Sequence, residues 1–97
     1  MPSYIMMFHY THQGIEKVKQ STARIDQIRK VFHERGAKVK DVYALLGQYD
    51  TLFIVEAPND ELVAALALEI AEQGNVRTET HRAFTETEFR KILSQVK

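Results

Sequence analysis

The sequence predicts an α+β domain in which helices cover one face of a four-stranded antiparallel sheet. Three observations predict it. Apolar residues recur at alternating strand and helix periods, in the order β-α-β-β-α-β-α. The run Val42 to Glu56 holds two apolar strand segments flanking the turn Gly47-Gln48-Tyr49-Asp50. Neither segment alternates cleanly between apolar and polar, so both read as covered on two faces. A chain of 97 residues has too few helices to cover both faces of a sheet, which makes a second copy the natural second cover.

Taken in order, Tyr4 to Tyr10 is a continuous apolar, aromatic stretch and reads as the first strand. Thr11 suits the cap of a short helical turn carrying Ile15 and Val18. Ser21 or Thr22 then starts a longer helix with Ile25, Ile28, Val31 and Phe32 on one face, ended by Gly36. Ala37 to Leu46 and Thr51 to Ala57 form the hairpin strands, and Pro58 stops the second of them. Asn59 or Asp60 caps the next helix, whose apolar face is Leu62, Leu66, Ala67 and Ile70. Gly74-Asn75 closes it. Val76 to Phe84 is a fourth, more polar strand, expected at an edge. Thr85-Glu86-Thr87-Glu88 is a capping box before a last helix striped with Phe89, Ile92, Leu93 and Val96.

Two βαβ-like halves around a central hairpin predict a single ferredoxin-like domain over residues 1–97, with an added C-terminal helix. The helices leave one sheet face bare, and a bare apolar face marks an interface. Two such faces packed together make a dimeric α/β barrel. The C-terminal helix then either covers the patch or embraces the partner. A homodimer or larger homo-oligomer is the expected state.

Composition narrows the function classes. Thirteen basic residues balance thirteen acidic ones, so nothing favours nucleic acid or an anionic membrane. There is no cysteine, which excludes disulfides and thiolate metal sites and fits a reducing, cytoplasmic setting. The opening Met-Pro-Ser-Tyr-Ile-Met-Met-Phe lacks the features of a secretory signal, and no apolar run approaches a membrane span. No phosphate loop, nucleotide fingerprint or Ser-His-Asp pattern occurs, so no cofactor is expected.

Several segments resemble the GYD family, small stand-alone bacterial and archaeal proteins. The matching residues are Gly47, Tyr49 and Asp50 with Val55-Glu56-Ala57-Pro58, then Gly74 to Thr80 and Arg82 to Thr85. Tyr4-Ile5-Met6, Thr11 and Gln13-Gly14-Ile15 also fit. The resemblance implies a dimeric α/β barrel and no general activity. Ala44 and His81 depart from it, one smaller and one more polar than the family pattern. A Gly-x-Tyr-Asp turn is also similar to one in the ligand-sensing domain of feast/famine transcription regulators. That likeness implies a small effector held between subunits.

Candidate site residues follow from type and spacing. Tyr49 and Asp50 sit at the turn, where they either build it or line a pocket mouth. Arg77, Glu79 and His81 recur at period two and share one face of the fourth strand, while Thr78, Thr80 and Arg82 share the other. Tyr49, Asp50, Arg77, Glu79 and Arg82 are therefore the candidate small-ligand contacts. The expected function is a small-ligand-binding or oligomerisation module; if the protein is instead a cofactor-free, monooxygenase- or isomerase-like enzyme acting on a small aromatic or lactone substrate, His9, Tyr43, Glu56 and His81 are the candidates to move a proton. Glu56 also suits an ion pair with Arg77 or Arg82. His9 and His12 lie across a strand end, and their spacing with His81 is too loose to predict a metal site. His33 reads as a surface residue.

Overall fold

The computed structural model describes residues 1–97. The elements are β1 (Ser3–Tyr10), α1 (His12–Glu16), a 3₁₀ turn (Val18–Gln20), α2 (Ser21–Glu34), β2 (Lys38–Ala44), β3 (Thr51–Glu56), α3 (Asp60–Glu72), β4 (Val76–Ala83) and α4 (Glu86–Ser94). The strands form one antiparallel sheet in the order β2-β3-β1-β4. This is the expected ferredoxin-like arrangement, with β1 in the centre and β2 and β4 as edges.

The strands alternate, and the buried half of the pattern fixes which face the helices take. Tyr4, Met6 and Phe8 of β1, with Phe53 and Val55 of β3, are each 3% exposed or less. They meet Phe32 of α2 and Val63, Leu66 and Ile70 of α3 in one core. Phe8 and Phe53 touch edge to face, with ring centroids 4.7 Å apart. Within the chain, the second face of β2 and β3 has no cover; Leu52 and Ile54 stay half-buried and Tyr43 is exposed. The two-sided apolar character of these strands is thus left for something outside the chain to satisfy.

Local chemistry sets the helix ends. Thr11 caps α1 by accepting from Gly14 N–H, and Asn59 caps α3 by accepting from Leu62 N–H. The capping box of α4 is present, with Thr85 and Glu88 each accepting from the other's backbone N–H. Gly36 follows α2 at φ 83°, where a side chain is strained. Ser21 starts α2 as expected, and its hydroxyl lies 2.7 Å from the Tyr10 hydroxyl instead of capping the helix.

One strand end and one register also differ. β2 ends at Ala44, two residues early, so the hairpin loop runs from 45 to 50 and leaves Leu46 fully exposed. The register of β2 against β3 shifts between Val39 and Asp41, an irregularity that bends an edge strand and carries Lys40 out of alternation. α4 packs on nothing extensively. None of its residues is buried, and Phe89, Leu93 and Val96 are at least half-exposed. No helix is long and apolar enough to cross a membrane.

Candidate functional site

The open sheet face is the feature that function has to explain. Register places Ile5 and Met7 of β1 beside Leu52 and Ile54 of β3, all on the side away from the helices. The four make a half-buried apolar floor. β4 borders this floor with Arg77, Glu79 and His81, opposite His9, Met7 and Ile5 of β1. The period-two set of β4 therefore faces the open side, and Thr78, Thr80 and Arg82 face the helices.

Four polar side chains converge at this border. The His9 and Tyr49 rings lie 4.5 Å apart. His81 Nε2 is 2.7 Å from Glu79 Oε2. The Tyr49 hydroxyl faces Glu79, and that interaction, with some desolvation, raises the Tyr49 pKa above its ordinary value. On Glu79 the same two interactions, with His81 first and Tyr49 second, hold the carboxyl below the usual range. Glu79 is thus an ionised acceptor at neutral pH.

The loop reaches the cluster because Asp50 pins it. Its carboxylate accepts from Tyr10 N–H at 2.8 Å, and its own N–H donates to the Phe8 carbonyl at 2.8 Å. Asp50 builds the loop anchor and turns Tyr49 toward β1. Arg77 stands across from His9. Together with Tyr10, Thr11 and His12 these two residues line an open recess of about 420 Å³. Histidine and arginine there supply N–H donors suited to an anionic or carbonyl ligand.

The other candidates do not join the cluster. Tyr43 pairs across from Leu52 on the exposed edge strand. Glu56 sits near the opposite end of β3 and pairs with Lys40 at 3.8 Å rather than with an arginine. Arg82 lies on the helix side, over the Tyr4 ring at 5.6 Å and the Phe84 ring at 4.4 Å, and donates to the Ser3 carbonyl. Nearby, Tyr4 donates to Asp60 Oδ1 at 2.5 Å, and burial together with that bond pushes its hydroxyl up to about 12. No three His, Asp or Glu side chains form a metal-holding group.

The helix side holds a cleft that sequence reasoning did not find. α2 and α3 splay apart, leaving about 460 Å³ between them above Ile28, Val31, Leu66 and Ile70, with Arg24 and Glu69 on the rim. Helical spacing identified these apolar residues as core, and no local signal distinguishes a core residue from one flooring a cleft.

Fold and surface together define a small ferredoxin-like α+β protein with one face of its sheet left open and a polar border along β4. The chain belongs to the GYD domain family, whose model matches residues 4–93. It is 33% identical over 84 residues to a Thermus thermophilus protein named glutamine synthetase and cystathionine beta-lyase binding protein, a match covering 86% of this chain and 88% of that one. In fold it is similar to the crystal structure of TTHA0845 from the same organism, with a TM-score of 0.56 and 22% identity over 88% of this chain and 95% of that chain.

Proposed function

We infer that the protein is a homodimeric binding module. Two copies bury their open sheet faces against each other and enclose a small-ligand cavity beside the polar border. The observation that carries this reading is the apolar floor of Ile5, Met7, Leu52 and Ile54, which the chain's own helices leave uncovered. Around it, His9, Tyr49, Arg77, Glu79 and His81 supply the few convergent polar groups that orient a ligand in a largely apolar cavity. The ionised Glu79 favours holding a ligand over proton transfer, since a carboxylate poised as a general base has a raised pKa.

The test is native mass spectrometry of the protein as purified. A dimer or larger species is expected, and a retained small molecule appears as added mass. A monodisperse monomer at micromolar concentration overturns the reading. The variant Ile54→Asp, which places a charge in the floor, is expected to convert the oligomer to a folded monomer.

A second reading takes the bound partner to be another protein. It is favoured by the name of the Thermus thermophilus relative, which describes binding to two enzymes. A face-to-face dimer leaves the α2–α3 cleft outward and free for such a partner. Pull-down with purified glutamine synthetase, comparing the native chain with Ala23→Arg at the exposed rim of the cleft, tests it. Equal capture by both removes the cleft from the account.

A further inference from the structure

The chain carries two apolar features that its own packing leaves largely exposed. One is α4, with Phe89, Leu93 and Val96 along one stripe and Phe84 leading into it, each at least half-exposed. The other is the β2–β3 hairpin, where Tyr43 is 54% exposed, Leu45 36% and Leu46 fully exposed. The stretch 43–49, Tyr-Ala-Leu-Leu-Gly-Gln-Tyr, contains no charged residue, so no buried charge would oppose an apolar partner.

Their positions are related. The hairpin leaves the β2 edge at the end of the sheet where β1 finishes, as the Asp50 to Phe8 bond shows. α4 leaves the β4 edge at the other end, where Ala83 lies opposite Ser3. The two features therefore occupy diagonally opposite corners of the sheet. We propose that in the dimer the α4 of each copy docks on the β2–β3 hairpin of its partner. This rests on the face-to-face reading above. A two-fold axis in the plane of the open face, perpendicular to the diagonal that joins these two corners, exchanges them, so both contacts form at once and the assembly closes. For a sheet of these proportions, that axis makes the strands of the two sheets cross at roughly 70°, close to the orthogonal class of sheet packing.

Size supports the added contact. Strands of six to eight residues at about 3.3 Å each, four abreast at about 4.8 Å, give a face of at most roughly 26 by 19 Å, near 500 Å². A stable interface buries on the order of 800 Å² per partner. The sheet face alone falls short, and the apolar stripe of α4 with the hairpin leucines extends it at both ends. The chain also has the outline of a molecule with an arm. Its longest dimension is 51 Å and its radius of gyration 14.6 Å, against about 12.5 Å for a compact chain of this length.

The chain has no cysteine, so engineered thiols give an unambiguous readout. Leu46→Cys and Leu93→Cys proteins, mixed and treated with a short bis-maleimide, are expected to give a covalent heterodimer, while each alone gives little. Native mass spectrometry of the same samples separates the possible failures. A monomer overturns the face-to-face reading and the docking with it. A dimer without the mixed cross-link, or with efficient linkage in Leu93→Cys alone, overturns the docking and leaves the face-to-face reading standing. In a second measurement, Leu93→Asp is expected to weaken dimerisation at least tenfold, with unchanged helix and strand content in circular dichroism. An unchanged dissociation constant overturns the docking.

Discussion

The two faces of one sheet are both apolar at the centre, yet only one is filled by its own chain. On the helix side Met6, Phe53 and Val55 are at most 2% exposed; their immediate neighbours Met7, Leu52 and Ile54 on the open side are only half-buried. The same strands, the same period and similar side chains serve both. What differs is where the covering surface comes from. One face derives its burial from residues on the same chain and stabilises the subunit at any dilution. In the proposed dimer the other gains its burial by association, and its contribution then grows with protein concentration.

Substitutions on the two faces separate these terms. Phe53→Ala, on the helix side, is expected to have the largest effect, a loss of about 3–5 kcal/mol in denaturant unfolding at any protein concentration. If the loss instead depends on concentration, the helix side is not self-sufficient. Gly14→Ala comes next. A Cβ there would stand 1.9 Å from the Asn75 carbonyl oxygen, so α1 and the turn before β4 must part, costing about 1–3 kcal/mol by thermal unfolding. On the same side, the raised Tyr4 pKa makes folding favour the neutral hydroxyl. That stability is complete below pH 10 and is lost as the pH rises toward about 12. Tyr4→Phe is expected to flatten this alkaline decline in a pH series of unfolding midpoints. Leu52→Ala, on the open side, has the smallest effect on the dilute subunit, below about 1 kcal/mol, because much of the side chain is already in water. Its effect should increase in concentrated samples, and a flat dependence would erase the contrast between the faces.

Much of this contrast is legible in residue order. Period-two runs and two helical stripes place the strands and helices, and short-range chemistry such as Thr85 with Glu88 marks where helices start. The same alternation puts Arg77, Glu79 and His81 on one face of β4. The rest depends on contacts between distant segments. Asp50 serves Tyr10, forty residues away in sequence, so its role as an anchor has no local sign. Ser21 has the residue type of a cap, and its neighbour in space, Tyr10, is invisible in the local sequence. Arg82 resembles a ligand contact by charge alone, but the rings of Tyr4 and Phe84 take it to the other side. The Val39 to Asp41 shift changes which side chains of β2 face outward, and nothing in the run Lys38-Val39-Lys40-Asp41 announces it.

The central position of β1 has a consequence for how the protein is made. β1 pairs only with strands that begin at Thr51 and Val76, both made after it. At a synthesis rate of roughly 5–20 residues per second, the 66 residues from Tyr10 to Val76 take about 3–13 s to appear. Throughout that interval Met6 and Phe8 have no complete sheet to enter. A nascent chain stalled before β4 therefore keeps an apolar strand with one edge unpaired. The sheet around β1 is therefore completed late in synthesis or after it.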